Sequence, residues 1–337
     1  MHHSQSTTQR DRHVLTAIAG ILLTAMPILG VGIWSVIANG PLSRRPVPQG
    51  HHGSQRGFRL AYKALHAYVY ARWTELYVRL GKWLLPYLMP STKRWVANRY
   101  HAKVLTHDLA RAIITIEQDI PLRDLEQIIP YDRARDLILN GPPEIAVQEC
   151  SCRQNASHPC QPTQVCMIIG QPFVNFALTH RPESTRRLMR VEALALLEAE
   201  HRRGHVHSAW FKDASMGRFY AICNCCKCCC GGIEAMLKYG VPMVASSGYI
   251  ASVDAEHCRS CGTCVEACPF GAMTLNGRGA EIIWDNCMGC GICEGRCPYG
   301  AIALRRDERK GIPLDVRLLV HGDGGAKEVP RDSMPHG

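Results

Sequence analysis

Nucleotide-binding and flavin-binding fingerprints are absent from this sequence. It contains neither the G-x4-G-K-[ST] pattern of a phosphate-binding loop nor the G-x-G-x-x-G pattern of a dinucleotide-binding fold. The C-x3-C-x2-C pattern of radical enzymes is also missing. These absences argue against a self-contained enzyme that depends on a nucleotide or a flavin, and no nucleotide is expected as a partner.

Acidic residues are in the minority. The chain has 39 Lys and Arg against 29 Asp and Glu, which gives a formal net charge of +10. A basic excess can attract nucleic acid, anionic lipid or an acidic redox partner. The basic residues are scattered through the first half of the chain and no nucleic-acid motif accompanies them. No nucleic acid is therefore expected, and the pattern favours a membrane surface.

Charged residues and histidine are missing from residues 14–38, which read VLTAIAGILLTAMPILGVGIWSVIA. As a helix rising about 1.5 Å per residue, this stretch would span roughly 37 Å, enough to cross a hydrocarbon core of about 30 Å. The segment predicts a single transmembrane anchor in contact with lipid, with a cleaved signal peptide as the alternative. Basic residues such as Arg44 and Arg45 follow it, so the positive-inside rule predicts a cytoplasmic C-terminal part.

The stretch after this segment predicts a linker and then a helical region. Residues 1–13 form a tail before the anchor, and residues 39–57 are rich in Pro, Gly, Ser and Arg, which is typical of a linker. Apolar spacing over residues 58–142 predicts helices at about 58–85, 95–117 and 122–139. The Asn-Gly-Pro-Pro sequence at 140–143 predicts a boundary.

Two cysteine runs near the C-terminal end repeat the pattern C-x2-C-x2-C-x3-C-P. The first run consists of Cys258, Cys261, Cys264 and Cys268, and the second of Cys287, Cys290, Cys293 and Cys297. This spacing lets neighbouring thiolates reach different irons of one compact cubane cluster, whose chemistry is one-electron transfer. Zinc knuckles and disulfides are the alternatives, but zinc sites usually show two separated C-x2-C pairs.

The repeat resembles the bacterial-type two-[4Fe-4S] ferredoxin domain. Its tails also match, with Cys-Pro-Phe-Gly-Ala at 268–272 and Cys-Pro-Tyr-Gly-Ala at 297–301. The resemblance implies two [4Fe-4S] clusters in a domain at 243–306, with the fourth cysteine of each run ligating the other cluster. It assigns one cluster to Cys258, Cys261, Cys264 and Cys297, and the other to Cys287, Cys290, Cys293 and Cys268.

Ten more cysteines lie in a cysteine-rich module predicted at 143–242, as further candidate metal ligands. They are Cys150, Cys152, Cys160, Cys166, Cys223, Cys225, Cys226, Cys228, Cys229 and Cys230. A third iron–sulfur cluster, a zinc site, redox-sensing thiols and simple buried cysteines all remain open, because spacing alone does not assign ligands here. His158, His205 and His207 are further candidate ligands, and Asn224 and Lys227 could line a substrate pocket beside them.

The sequence as a whole predicts an α+β fold. Its predicted parts are an N-terminal transmembrane helix, a helical region, the cysteine-rich module, a C-terminal ferredoxin-like domain and a polar tail at 307–337. The module is predicted to contain an amphipathic helix at 186–203 that ends before Gly204. The ferredoxin-like domain is predicted to have short strands near 249–253 and 280–284 and a short helix after each cysteine run, and residues 316–320 are a candidate strand in the tail.

The leading hypothesis is a membrane-anchored electron-transfer protein that exchanges single electrons with a redox partner protein. The alternatives are an oxidoreductase with its active or additional cluster in the module between Cys150 and Cys230, and a redox or metal sensor; no catalytic residue is assigned.

Overall fold

The computed structural model describes residues 53–320, with side chains from residue 63 onward. The chain divides into two units between Tyr70 and Ala71. Among the described residues, the first unit holds most of helix α1, Gly53–Arg72. All the sites discussed below lie in the second unit.

The predicted transmembrane segment at 14–38 lies outside the described residues. Within residues 53–320, no helix is both long enough and apolar enough to cross a membrane. Helix α2, Thr74–Leu84, shows the reason, because Glu75, Arg79 and Lys82 interrupt its apolar residues. The finding contradicts two predictions, a fold class that includes a transmembrane helix and a single-pass membrane location with a cytoplasmic cluster-bearing part.

The predicted helical region is helical only in its first part. Helix α3, Pro90–Arg99, follows α2 after a short 3-10 turn, and strand β1, Tyr100–Leu105, follows it directly. Helix α4, His107–Thr115, is capped at its N-terminus by Thr106, whose hydroxyl accepts a hydrogen bond from the backbone N–H of Leu109 at 3.3 Å.

The helix predicted at 122–139 is wrong. Strands β2, Ile120–Asp124, and β3, Asp136–Leu139, occupy this region and pair antiparallel. Leu137 and Leu139 are buried while Asp136 and Ile138 are half-buried, which is the two-residue period of a strand. The apolar spacing of this short segment fits both the period of a helix and that of a strand. The segment forms strands because β2 pairs with β3 and β3 pairs with β8 in the sheet.

A nine-stranded mixed sheet forms the centre of the second unit. Its main path runs β6-β4-β5-β8-β7-β1-β9, and β3 joins it beside β8. The remaining strands are β4 Ile145–Glu149, β5 Gln164–Ile169, β6 Thr185–Leu188, β7 Val206–Lys212, β8 Arg218–Cys225 and β9 Val244–Ala245. Most neighbours are antiparallel, and the pairs β1–β9 and β3–β8 are parallel.

Four helices connect these strands. They are α5 Ser151–Gln154, α6 Phe173–His180, α7 Arg190–Arg202 and α8 Gly231–Tyr239. Helix α7 was predicted at 186–203, and it starts later because β6 takes the residues before it. Its end agrees with the sequence, since Gly204 follows the last basic turn with φ +80°.

The C-terminal domain is small and built from two strand pairs. Strand β10, Tyr249–Val253, pairs antiparallel with β13, Ile302–Arg306, and β11, Met273–Asn276, pairs with β12, Gly279–Ile282. Helices α9, Thr263–Ala267, and α10, Ile292–Arg296, lie inside the two cysteine runs. They were expected after the runs. The strand predicted at 316–320 is a 3-10 turn at Val316–Leu318.

Candidate metal centres

The two cysteine runs fold into loops of the same shape. Gly262 and Gly291 precede α9 and α10 with φ of +79° and +80°, a conformation that glycine adopts without strain. Each short helix then carries the third cysteine of its run, Cys264 or Cys293. The repeat seen in the sequence is therefore also a repeat of backbone conformation.

The tails of the two runs bring a backbone donor to the fourth sulfur. The N–H of Ala272 donates to Cys268 Sγ at 3.2 Å, and the N–H of Ala301 donates to Cys297 Sγ at 3.3 Å. The glycine before each alanine has φ +62°, which turns the chain back onto the sulfur. A hydrogen bond of this kind stabilises negative charge on a thiolate, which explains why both tails read Cys-Pro-x-Gly-Ala.

The structure gathers the eight cysteines of the repeat around two partly open pockets. Site 1 is lined by Cys258, Cys261, Cys264 and Cys297. Site 2 is lined by Cys268, Cys287, Cys290 and Cys293. These are the two sets, each with one cysteine from the other run, that the ferredoxin resemblance implies; ligation itself stays a prediction.

The two sites differ in exposure. At site 1, Cys261 is exposed and Cys264 is buried, whereas all four cysteines of site 2 are buried. Hydrogen bonds from the hydroxyl and backbone of Thr263 lower the pKa of Cys261, while burial raises the pKa of Cys293 to about 12. Four converging buried thiols without a disulfide fit a cluster that supplies the positive charge their thiolates need.

Six of the ten upstream cysteines form a second group, buried except for the half-buried Cys152 and Cys223, and it is here called the six-cysteine group. Its members are Cys150, Cys152, Cys166, Cys223, Cys225 and Cys230. They come from the end of β4, helix α5, strands β5 and β8, and the start of α8. Cys166 and Cys223 on neighbouring strands bring their sulfurs to 3.8 Å.

Within the six-cysteine group, the hydrogen bonds favour negative charge on Cys225. Hydrogen bonds from Cys223 and Cys230 hold the pKa of Cys225 well below its usual value, and Ser208 adds a contact at 3.4 Å. By contrast, the hydrogen bond to Cys150, together with burial, raises the pKa of Cys152. More thiolates can form in this group only if a cation enters it.

The other four upstream cysteines lie apart from that group and are here called the four-cysteine group. The sulfurs of Cys160, Cys226 and Cys228 all lie within 4.8 Å of one another. Cys229 brings its sulfur to 3.4 Å from that of Cys228. Cys160 comes from the loop between α5 and β5, and the other three come from the turn between β8 and α8.

A buried arginine, which sequence reasoning missed, supports both upstream groups. Arg153 is fully buried and donates to the carbonyl oxygens of Pro162 and Asn224 and to Glu200 Oε2, the last at 2.9 Å. Glu200 also accepts from His205 Nδ1 at 2.7 Å. Burial favours a higher pKa for Glu200, but hydrogen bonds from His205 and Arg153 outweigh it and lower the pKa. No local spacing signals a pair so far apart in the chain.

The histidine candidates take different places. His205 Nε2 lies 3.6 Å from Cys160 Sγ, beside the four-cysteine group. His207 bonds Asn224 Oδ1 at 2.7 Å, and burial lowers its pKa to about 3. His158 offers only its carbonyl oxygen, at 3.9 Å from Cys229 Sγ.

The predicted pocket residues Asn224 and Lys227 make other contacts. Asn224 donates to the carbonyl of Val165 at 2.9 Å, which links β8 to β5. Lys227 reaches the carbonyl of Glu266 at 3.3 Å on the C-terminal domain. Both contacts hold parts of the fold together.

The loops and their two cysteine sets define an iron–sulfur domain of the ferredoxin type. Residues 257–301 match the family model described as a 4Fe-4S dicluster domain. The C-terminal domain is accordingly one that binds [4Fe-4S] clusters, and the ten upstream cysteines fall outside the match. No curated protein matches the chain.

Proposed function

We propose that this protein relays single electrons through two [4Fe-4S] clusters, held at site 1 and site 2, to or from a partner oxidoreductase. When bound, such clusters supply one-electron transfer. The observation that carries the proposal is the difference in exposure between the two cysteine sets, since Cys261 is open to solvent and site 2 is buried. An exposed site and a buried neighbour form the outer and inner steps of a relay.

The rim of site 1 fits the surface of a redox partner protein. Leu275 and Tyr299 line the cavity of site 1 and are 46% and 50% exposed. Exposed apolar side chains around a functional site are typical of surfaces that bind other proteins. Arg259 lines the same cavity and adds positive charge, so an acidic partner surface is favoured.

In this proposal, electrons pass from site 2 to the six-cysteine group. Cys290 and Cys293 of site 2 belong to the same buried core as Cys225 and Cys230 of that group, and Cys264 is the one residue of site 1 among its buried cysteines. This continuity supports the six-cysteine group as the inner end of the relay, where a third iron–sulfur cluster would take thiolates from the sheet. The burial of Cys225, Cys230 and the cysteines of site 2 keeps water away from the path.

The test removes one predicted ligand at a time from the full chain, purified without oxygen. Cys261→Ala is expected to lose about four irons and one of two coupled reduced-cluster EPR signals. Cys290→Ala is expected to lose the other signal. The matched control is Ser260→Ala, which changes a residue lining site 1 that offers no thiolate.

The rate of electron exchange with a protein acceptor distinguishes site 1, the outer step of the relay, from site 2, the inner step. Loss of site 1 in Cys261→Ala should slow oxidation of the reduced protein by a large protein acceptor more than Cys290→Ala does. The relay would be refuted if the two alanine variants lost the same EPR signal. It would also be refuted if Cys261→Ala left the exchange rate equal to that of Ser260→Ala.

A further inference from the structure

We infer that the four-cysteine group is a separate site for one Zn²⁺ ion, held by Cys160, Cys226, Cys228 and Cys229. All four are cysteines without disulfide partners, and two of them, Cys226 and Cys229, are buried. Four thiolates are the ligand set of structural zinc sites in proteins. This site does not depend on the proposed electron relay.

The spacing of the sulfurs favours one ion over a cubane cluster. A tetrahedral Zn²⁺ with Zn–S bonds of about 2.3 Å places its sulfurs about 3.8 Å apart. The sulfurs of Cys160, Cys226 and Cys228 lie within 4.8 Å of one another. Cys229 lies outside this trio, and its Sγ is 3.4 Å from Cys228 Sγ, which makes it the candidate for the fourth ligand. In a cubane each thiolate binds a different iron, so its sulfurs stand farther apart.

The ferredoxin domain of the same chain provides an internal comparison. In residues 63–320, the trio in the four-cysteine group is the one set of three histidine, cysteine or carboxylate groups whose ligand atoms approach this closely. The cysteines of site 1 and site 2 surround their cavities at wider spacing. The two kinds of spacing therefore point to two kinds of metal centre.

The surroundings of the group supply charge and rigidity. Four thiolates around Zn²⁺ carry two negative charges in excess, and the buried guanidinium of Arg153 interacts electrostatically with Cys226 and Cys229. Arg153 also binds the carbonyl of Pro162, in the loop that carries Cys160. An ion here would fasten that loop to the turn between β8 and α8, where Cys230 of the six-cysteine group begins the helix.

The experiment measures zinc and iron separately in the full chain, purified without oxygen. One zinc per chain is expected, with an X-ray absorption spectrum of four sulfur neighbours at about 2.3 Å. Cys226→Ala and Cys229→Ala should each lower zinc at least fivefold while the iron content stays unchanged. The control variant is Cys261→Ala, which should lose iron and keep zinc, and His205→Gln tests the candidate ligand that lies beside Cys160.

Each contrary result overturns a stated part of the inference. If Cys226→Ala removes iron together with an EPR signal and the wild-type chain holds no zinc, the group holds an iron centre. If His205→Gln loses zinc and Cys229→Ala keeps it, the ligand assignment is wrong. Because the readout is zinc content, failure here leaves the relay untouched, and failure of the relay leaves the zinc count unchanged.

Discussion

The two cysteine-rich regions of this chain differ in how far apart their cysteines lie in the sequence. In the ferredoxin domain, three of the four cysteines at each site come from one short loop. In the six-cysteine group they come from two strands, the end of a third and two helix starts, between residues 150 and 230. The first arrangement can form from local backbone conformation, whereas the second requires the sheet to be assembled.

The comparison also shows that a loop formed by neighbouring residues can depend on contacts with distant parts of the chain. Only one of the four cysteines of site 1, Cys264, is buried, whereas all four cysteines of site 2 are buried. The Oγ of Ser247 donates to the carbonyl of Gly289 at 2.7 Å, which ties the second loop to the segment before β10. The stability of site 2 and of the upstream groups should therefore depend on long-range contacts, and the stability of site 1 on local contacts.

The largest expected effect comes from Gly289→Ala, compared with Gly300→Ala. Both glycines have φ +62°, but a Cβ at Gly289 would overlap the carbonyl of Tyr249, while one at Gly300 meets nothing within 4 Å. Gly300→Ala should cost about 1–2 kcal/mol of unfolding free energy from backbone strain, and Gly289→Ala about 5 kcal/mol or more. Anaerobic urea titration of the two variants measures the gap, and equal losses would show that the contact with β10 does not matter.

The second-largest effect is expected at Arg153, whose replacement should destabilise the upstream cysteine groups. Arg153→Met leaves the fully buried Glu200 with Arg203 and His205 as its remaining partners, so it should cost about 3 kcal/mol of unfolding free energy. The control is Arg190→Met, which breaks an exposed pair with Glu117 and should cost about 0–1 kcal/mol. Urea titration checks both values.

Metal content gives the Arg153 prediction a second readout. Arg153→Met should lower zinc and leave the iron of the ferredoxin domain in place, since Arg153 binds the loop that carries Cys160. A variant that lost the ferredoxin iron first would contradict the separation of the two regions.

A smaller, pH-dependent effect is expected at the buried Lys103 in strand β1. Burial, with a contribution from Arg306, lowers its pKa from 10.5 to about 7. Between these values the unfolded chain binds more protons than the folded chain, so the unfolding free energy should rise with pH over this range. Lys103→Met should stabilise the protein by about 2–4 kcal/mol near pH 7 and flatten the curve. The same pH dependence in the Met variant would exclude Lys103 as its source.

Sequence spacing predicted the sites whose ligands are close together in the chain. The spacing C-x2-C-x2-C grouped the first three cysteines of each run, and the fourth cysteine of each site, from the other run, was implied by the resemblance to two-cluster ferredoxins. The division of the upstream cysteines was not predicted, since Cys166 meets Cys223 only through the pairing of β5 with β8. The pairing of Arg153 with Glu200 was missed for the same reason.

Errors in the predicted fold have a related cause. Residues 122–139 have an apolar spacing that a helix or two strands can satisfy, and only the neighbouring strand β8 selects the strands. By contrast, β10 was predicted with its bounds, Tyr249–Val253, because its short apolar run comes just before the first cysteine run. The C-terminal domain and the end of α7 at Gly204 could both be predicted because their sequence signals, the cysteine spacing and the glycine after a basic turn, are local.

The smallest expected effect tests the local character of site 1. The Thr263 hydroxyl lies 3.4 Å from Cys261 Sγ, and this hydrogen bond stabilises negative charge on the sulfur. Thr263→Val removes the donor while keeping the shape, so the more negative, reduced form of a cluster at site 1 should lose stability. The reduction potential of site 1 should fall by a few tens of millivolts, which corresponds to about 0.5–1 kcal/mol for one electron. Redox titration followed by EPR measures it, with Thr274→Val on β11 as the control; a matching shift at site 2 would show that the contact is not local.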